Sequence, residues 1–297
     1  GLIAAFVLLG LLPLLMRWTL NWLKRRKVYR GHRRPRRFDY NLIVIGAGAG
    51  GLVSAYIAAA VNARVALIEK NAMGGDCLNT GCVPSKALIR SAKLLAEARD
   101  SERYGIQRMT AEVDFKQVMA RVHKVIATIA PHDSPERYRD LGVDVIHGHA
   151  RLVSPWEVEV GGRRISARSI VLATGAEPLI PPIDGLDKCD YLTSDTLWDL
   201  KELPKKLVVL GGGPIGSELA QAFTRLGSEV VVVEMADRLL PREDQAAGKL
   251  LADKMASEGT TLATSTRALR VEDGSTLVCD QGGKEVRFGF DRLLIAI

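Results

Sequence analysis

Two cysteines, Cys77 and Cys82, lie five residues apart in the stretch GGDCLNTGCVPSK, residues 74–86. Five residues of a regular α-helix rise about 7.5 Å, which exceeds the roughly 7 Å that a disulfide tolerates between Cα atoms. The intervening chain must therefore be irregular, and Gly81 permits unusual backbone dihedral angles there. The pair indicates a redox-active disulfide, with a structural disulfide and two unreactive thiols as the alternatives.

Pro84 suits the first turn of a helix that continues through residues 86–90. This pattern places Cys82 at or near a helix N-terminus. The helix macrodipole and the free N–H groups there favour a thiolate, which is the nucleophilic form in disulfide exchange.

An apolar strand at residues 42–45 runs into a glycine motif and then into a helix over residues 52–61. The motif is Gly46, Gly48 and Gly51. Its first two glycines allow a tight turn and close approach to a pyrophosphate, and the third lets the helix pack on the strand. A second strand ends in Glu69, 23 residues after the first glycine, where a carboxylate can accept hydrogen bonds from ribose hydroxyls.

The chain then repeats this unit. A strand at residues 207–210 leads into a helix near residues 217–226, and a second strand ends in Glu234, again 23 residues after the first glycine. The glycines of this second motif are Gly211, Gly213 and Gly216. Two such units predict an α/β fold with two doubly wound Rossmann-type domains that bind two dinucleotides.

Four motifs in this order resemble the class I pyridine nucleotide-disulfide oxidoreductases, a family that includes dihydrolipoamide dehydrogenase, glutathione reductase and mercuric reductase. The resemblance covers residues 40–297, and residues 232–244 are most similar to the mercuric reductase and dihydrolipoamide dehydrogenase branch. The four motifs are the first glycine loop, the cysteine stretch 77–86, Ala173-Thr174-Gly175, and the second glycine loop. The second glycine loop matches the family as far as Glu218.

The resemblance implies a role for each motif. It implies that the first glycine loop binds FAD together with Glu69, Thr174 and Gly175, and that the second binds the nicotinamide nucleotide. It implies that Cys82 is the thiol next to the flavin and that Cys77 exchanges with the substrate. Lys86 is expected near the reactive edge of the flavin and paired with Glu218, since a buried lysine needs a partner to stay charged.

Glu234 bears on the choice of nicotinamide nucleotide. A carboxylate at the end of the second strand favours a free 2′-hydroxyl and repels a 2′-phosphate, so we expect NAD(H) over NADP(H). Arg238 and Arg242 lie close in sequence and oppose this preference.

These assignments predict an enzyme that passes electrons from NAD(P)H through FAD to the Cys77–Cys82 disulfide and on to a small-molecule or protein disulfide or a soft metal ion. The alternatives are a dihydrolipoamide dehydrogenase-type reaction, which runs the relay backwards, and a non-catalytic membrane-bound redox sensor. No metal ligands and no nucleic-acid partner are predicted. Cys189 and Cys279 show no motif spacing and are expected to be inert.

The N-terminus has a different composition. Residues 2–16 are apolar and uncharged, Trp18 and Trp22 follow, and ten lysines and arginines precede Asp39, the first acidic residue. The run is shorter than the ~20 residues of a spanning helix, but the aromatic and basic flanks favour a membrane helix through residues 1–23. A signal peptide and a soluble apolar helix are the alternatives.

The basic run predicts, by the positive-inside rule, an inner (plasma) membrane protein with cytoplasmic catalytic domains. Four cysteines in 297 residues agree, because they do not form a secreted disulfide framework. The expected domains are a membrane segment and linker (residues 1–38), an FAD domain (39–188) and an NAD(P) domain (189–297). The family continues into a second FAD segment and a dimerisation domain, so we expect a fragment of a longer, homodimeric protein.

Overall fold

The computed structural model describes residues 2–107 and 109–297, with backbone only for residues 2–10. By packing, the chain forms two compact units. The first combines residues up to Met73 with Ser134–Thr174, and the second combines Gly74–Asp133 with Gly175–Ile297. These units reflect contact density, not ligand binding, so the predicted boundaries of the dinucleotide-binding domains stay a prediction.

Within the described residues the α-helices are α1 (Leu2–Val28), α2 (Ala49–Ala60), α3 (Gly75–Asn79), α4 (Cys82–Arg99), α5 (Phe115–Ile129), α6 (Pro135–Asp140), α7 (Pro214–Leu226) and α8 (Gln245–Ser257). Short 3₁₀ helices span Ser101–Tyr104, Ala130–Asp133, Leu186–Lys188 and Leu197–Asp199. The strands are β1 (Tyr40–Ile45), β2 (Val65–Glu69), β3 (Val143–His147), β4 (Ala150–Ser154), β5 (Glu157–Val160), β6 (Arg163–Leu172), β7 (Tyr191–Leu192), β8 (Lys206–Leu210), β9 (Glu229–Val233), β10 (Thr261–Ala263), β11 (Thr266–Glu272), β12 (Thr276–Gln281), β13 (Lys284–Gly289) and β14 (Arg292–Ile295).

The sheet of the first unit has the strand order β3-β2-β1-β6-β5-β4. The pairs from β3 to β6 are parallel, whereas β6, β5 and β4 pair antiparallel. Parallel strands are covered on both faces and therefore read as continuous apolar runs. Ile43 and Val44 of β1 and Leu67 of β2 accordingly have no exposed surface. The carboxyl ends of β1, β2 and β6 thus meet at the edge where the first glycine motif begins.

The second unit contains a five-stranded parallel sheet in the order β10-β9-β8-β14-β7, and a three-stranded antiparallel sheet of β11, β12 and β13. Here β8, β9 and β14 stand where β1, β2 and β6 stand in the first unit. The predicted α/β architecture of two Rossmann-type sheets is therefore present, with each glycine motif at the carboxyl end of a central strand.

One apolar core of the second unit joins the redox segment to the second glycine loop. Leu88 of α4, Val122 of α5 and Phe223 of α7 are fully buried in the same cluster. The rings of Phe115 and Phe223 lie 6.1 Å apart between centroids. Because α4 and α7 pack in the same core, the distance between these two helices is fixed.

The N-terminal helix α1 ends in the basic residues Arg25, Arg26 and Lys27. In the part of the chain whose side chains are described, no helix is both long and apolar enough to cross a membrane. From residue 11 onward the apolar stretch ends at Arg17 and basic residues follow, so the predicted membrane helix and its membrane contact through residues 1–23 are not supported. The side chains of residues 1–10, on which much of that prediction depended, lie outside the described residues.

Candidate functional site

The chain between the two cysteines leaves helical geometry at Thr80 and Gly81. Cys77 lies on the short helix α3, which the sequence analysis did not anticipate, and Cys82 is the first residue of α4, as predicted. Gly81 has φ −116° and ψ −105°, and a Cβ atom there would lie 2.9 Å from the carbonyl oxygen of Asp76. Glycine is therefore needed for the close approach of α3 and α4 that brings the two cysteines together.

Both cysteines are thiols in this structure, with Cys77 half-buried and Cys82 exposed. The hydrogen bond with Cys82 raises the pKa of the Cys77 thiol, and burial raises it further. Cys82 stands at the helix N-terminus, where the macrodipole favours negative charge.

Lys86 and Glu218 form an ion pair, with 2.7 Å between Nζ and Oε2. Lys86 lies one helical turn after Cys82 on α4, and Glu218 lies two residues after Gly216 on α7. The structure thus brings together the pair that the family resemblance implied. Both side chains are partly exposed, at 61% and 43%, so the pair adds little stability; its interest is the link between the redox helix and the second glycine loop.

The first glycine motif is built by close backbone packing. Gly46 has φ 101°, and a Cβ atom there would lie 2.1 Å from the carbonyl oxygen of Ala173 and 3.2 Å from Cα of Thr174. A Cβ atom on Gly51 would lie 1.8 Å from the carbonyl oxygen of Gly46. These glycines are required by packing, and Thr174 is held beside the loop.

Gly48 has a different role, because its φ of −80° and ψ of −174° suit any residue. It caps α2 without a side-chain hydrogen bond, which leaves N–H groups of the first helical turn available. Such a helix start binds phosphate through its N–H groups and dipole. The loop therefore fits the FAD diphosphate, with Glu69 at the end of the neighbouring strand.

Glu69 clamps this loop through backbone hydrogen bonds. Its Oε2 accepts from the Ala47 N–H at 2.6 Å, and its Oε1 accepts from the Asn71 N–H at 2.7 Å. Gly175, the other residue predicted to contact the cofactor, has φ 71° and lies in the second unit, near the Asp76 carboxylate.

The second glycine motif repeats this geometry. Gly211 has φ 112°, and its Cβ would lie 2.4 Å from the Ala296 carbonyl oxygen; a Cβ on Gly216 would lie 2.0 Å from the Gly211 carbonyl oxygen. Glu234 accepts hydrogen bonds from the N–H groups of Gly212 and Ala236, both at 2.7 Å. The two loops are therefore equivalent in packing and in hydrogen bonding.

Gly213 is free of packing contacts. Its φ of −70° and ψ of −175° suit any residue, and a Cβ atom there would have no heavy atom within 4 Å. It caps α7 without a side-chain hydrogen bond, and Pro214 follows as the first helical residue. A glycine that the fold does not need is consistent with a ligand that approaches the backbone closely.

The sequence places Arg238 where it could oppose the preference for NAD(H), but its guanidinium donates to backbone carbonyl oxygens of the chain itself. It donates to the carbonyl oxygens of Pro241 at 2.8 Å and Glu243 at 3.2 Å. Leu240, the residue before Pro241, has a positive φ of 50°. Arg238 thus holds the turn after β9, a role without any local sequence signal.

The remaining thiols are separate from this site. Burial raises the pKa of Cys279 to about 11, and burial also raises the pKa of Cys189. Within the residues that are described, no group of three or more His, Cys, Asp or Glu side chains is arranged to hold a metal ion.

Comparison with known proteins agrees with this geometry. The profile of the family described as "Pyridine nucleotide-disulphide oxidoreductase" matches residues 40–297. A mercuric reductase of Lysinibacillus sphaericus is 36% identical over 262 residues, which cover 87% of this chain and 48% of that protein. A dihydrolipoyl dehydrogenase of Acholeplasma laidlawii is 33% identical over 265 residues, covering 87% of this chain and 78% of that protein.

Among solved structures, the HOCl-induced flavoprotein disulfide reductase RclA from Escherichia coli superposes with a TM-score of 0.72 at 30% identity, covering 86% of this chain and 56% of that chain. The chain thus spans about half the length of RclA and of the mercuric reductase.

Proposed function

We propose, because the chain belongs to the pyridine nucleotide-disulphide oxidoreductase family, that the whole protein is an FAD-dependent enzyme with a Cys77–Cys82 redox disulfide. In the forward direction electrons pass from a nicotinamide nucleotide to this disulfide and on to a disulfide or soft metal-ion substrate. The observation that carries the proposal is the pair of thiols on α3 and at the start of α4, with Cys82 one helical turn before Lys86 of the Lys86–Glu218 ion pair.

When bound, FAD supplies the two-electron transfer between nicotinamide and disulfide. The chain supplies its binding surface, for which the start of α2 and Glu69 fit a diphosphate and a ribose. Two electrons and one proton cleave the Sγ–Sγ bond and leave one thiol and one thiolate. The N-terminus of α4 favours negative charge at Cys82, while the hydrogen bond with Cys82 and burial raise the pKa of the Cys77 thiol and favour the proton there.

Cys77 then serves as the exchanging sulfur. Its thiolate attacks one sulfur of a substrate disulfide, a mixed disulfide forms as the substrate S–S bond breaks, and the other sulfur leaves as a thiolate that takes up the proton that Cys77 gave up. A soft metal ion is an equally suitable acceptor, since thiolates are the ligands that such ions prefer. The similarity to a mercuric reductase supports a metal-ion substrate.

The similarity to dihydrolipoyl dehydrogenases supports the reverse relay as the second candidate. In that case a dithiol substrate reduces the Cys77–Cys82 disulfide and NAD⁺ is the final acceptor. Turnover that depends on a dithiol and NAD⁺ distinguishes it from the reductase.

We further propose that the nucleotide is NAD(H) rather than NADP(H). Glu234 places a carboxylate at the end of β9, and Arg238 is engaged by backbone carbonyl groups. A carboxylate at this position favours a free 2′-hydroxyl over a 2′-phosphate.

The relay is tested by anaerobic titration of the full-length, flavin-loaded protein with NADH, followed by visible absorption. Wild type is expected to develop a long-wavelength thiolate-to-flavin band on reduction. Cys77→Ser is expected to show the band before NADH is added, because Cys82 is then unpaired, and Cys82→Ser is expected never to show it. Bleaching of the flavin without this band in all three proteins would remove the disulfide from the electron path.

A further inference from the structure

Trp198 connects a distant segment of the second unit to the cysteine loop. It lies on the 3₁₀ helix Leu197–Asp199, before β8, and only 5% of it is exposed. Its indole Nε1 donates to the carbonyl oxygen of Thr80 at 2.8 Å and to that of Ser194 at 2.7 Å. Thr80 lies between the two cysteines and is 118 residues away along the chain.

The hydrogen bond holds the peptide group between Thr80 and Gly81, where the chain leaves helical geometry. The Thr80 carbonyl and the Gly81 N–H belong to the same planar peptide unit. The N–H donates to the carbonyl oxygen of Asp76 at 2.5 Å, while the carbonyl accepts from Trp198. Because both the carbonyl and the N–H of this peptide group are hydrogen-bonded, its orientation is fixed. The direction in which the chain enters Cys82 is therefore fixed as well.

Trp198 is itself anchored firmly enough to do this. Thr193 and Thr196 form a hydrogen-bonded turn, in which the Thr193 N–H donates to Thr196 Oγ1 at 3.0 Å and the Leu197 N–H donates to the Thr193 carbonyl at 3.1 Å. The carbonyl of Trp198 lies 3.1 Å from Nε2 of His123 on α5. The indole is therefore fixed by its own backbone as well as by burial.

We propose that Trp198 is a positioning residue for the redox disulfide, acting through the Thr80–Gly81 peptide; the proposal rests on the proposed function. A disulfide requires its two sulfur atoms about 2.05 Å apart with a restricted dihedral angle. A loop held in the closing geometry returns to the disulfide more readily than a loop free to open. Without the indole N–H the loop is free to open, which lowers the effective concentration of the Cys77 thiol at Cys82.

The test is Trp198→Phe in the full-length protein, which keeps an aromatic ring in the core and removes the N–H group. The Cys77–Cys82 thiol–disulfide equilibrium is measured in glutathione buffers by mass spectrometry of trapped thiols. We expect the equilibrium constant for disulfide formation to fall by about threefold to tenfold, the range that one net hydrogen bond represents. Thermal unfolding of the reduced proteins measures the packing change separately.

Trp156→Phe is the matched control, because Trp156 is 8% exposed and lies in the first unit. It should leave the glutathione equilibrium unchanged. If Trp198→Phe does not fold, a tryptophan analogue with sulfur in place of the indole N–H, placed at position 198, removes the donor at constant shape and is expected to show the same fall.

An equilibrium constant for Trp198→Phe or the analogue that equals or exceeds the wild-type value overturns this inference, and Trp198 is then only a core residue. A wild-type protein that forms no Cys77–Cys82 disulfide at any glutathione ratio overturns the proposed function, and this inference with it.

Discussion

Glu69 and Glu234 show how one residue type is used in the same way at two places. Each carboxylate accepts one N–H group from its glycine loop and one from the turn after its own strand. A carboxylate has about four acceptor positions. Two remain after these bonds, so each side chain is able to shape its loop and also to accept a ribose hydroxyl.

Glu234→Gln tests this dual use. The amide keeps one oxygen that accepts the Gly212 N–H, loses the acceptor for the Ala236 N–H, and removes the charge that disfavours a 2′-phosphate. We therefore expect the ratio of kcat/KM for NADH to that for NADPH to fall by about fivefold, as for a partly exposed charge interaction of up to about 1 kcal/mol. Glu229→Gln, on the exposed start of the same strand, is the control and should leave the ratio unchanged. A wild type that prefers NADPH would contradict the assignment.

Helix α7 carries the second glycine loop and Glu218 near its start, and a buried ion pair holds its other end. Arg225 in its last turn donates twice to Glu258, from Nε at 2.9 Å and from a terminal nitrogen at 2.7 Å. Lys254 and Gln221 also contact Glu258, at 3.1 and 2.9 Å. Because the Arg225 and Glu258 side chains are only 14% and 12% exposed, this is a strong charge-assisted contact.

The pair makes the stability of this region depend on pH. Burial tends to raise the pKa of Glu258, but the hydrogen bonds from Arg225 and Lys254 outweigh it and lower the pKa below its usual value. A pKa that is lower in the folded state gives a contribution that is complete above the unfolded pKa of about 4.3 and is lost as the pH falls through the folded pKa.

Glu258→Gln is expected to lower the free energy of unfolding at pH 7 by about 2 kcal/mol, because it leaves Arg225 buried without a counter-charge. The difference from wild type should shrink as the pH falls below the unfolded pKa and through the lowered pKa of folded Glu258, where the carboxylate takes up a proton. Urea unfolding at several pH values measures both effects. Asp253→Asn breaks the exposed Lys249–Asp253 pair and should cost little; an equal loss in both variants would argue against a special role for Glu258.

At the scale of the whole molecule, the chain contains the same strand–loop–helix arrangement twice, once in each unit. Each has a central strand, a glycine loop, a helix without a side-chain cap and an acidic residue at the carboxyl end of the next strand. This duplication predicts that the two loops bind two different dinucleotides independently.

Gly48→Ala and Gly213→Ala test this independence, because alanine adopts both backbone conformations without strain. We expect the first to weaken FAD binding and the second to weaken NADH binding, each by roughly tenfold, the equivalent of about 1.4 kcal/mol. Fluorescence titration of each nucleotide measures the affinities. Gly289→Ala, at the end of β13 and with the nearest heavy atom 4.0 Å from its Cβ position, is the control that should change neither; loss of both affinities in one variant would contradict separate sites.

The sequence by itself determined the features whose physical cause is local. The glycine spacing predicted tight strand-to-helix turns in both motifs. The structure shows carbonyl oxygens that exclude a Cβ atom at Gly46, Gly51, Gly211 and Gly216. Cys82 at the start of a helix followed from Gly81 and Pro84 for the same reason. Residues a few positions apart constrain one another through the covalent chain, so their spacing alone indicates the geometry.

Only the tertiary structure decided which distant residues meet. The Lys86–Glu218 pair spans 132 residues and was expected from family resemblance, not from spacing. The Trp198–Thr80 hydrogen bond and the use of Arg238 to hold the turn after β9 were not expected at all. The N-terminal run was predicted to span a membrane, which the described helix does not support. Such contacts depend on how sheets and helices pack, and packing between distant segments leaves no periodic pattern in the sequence.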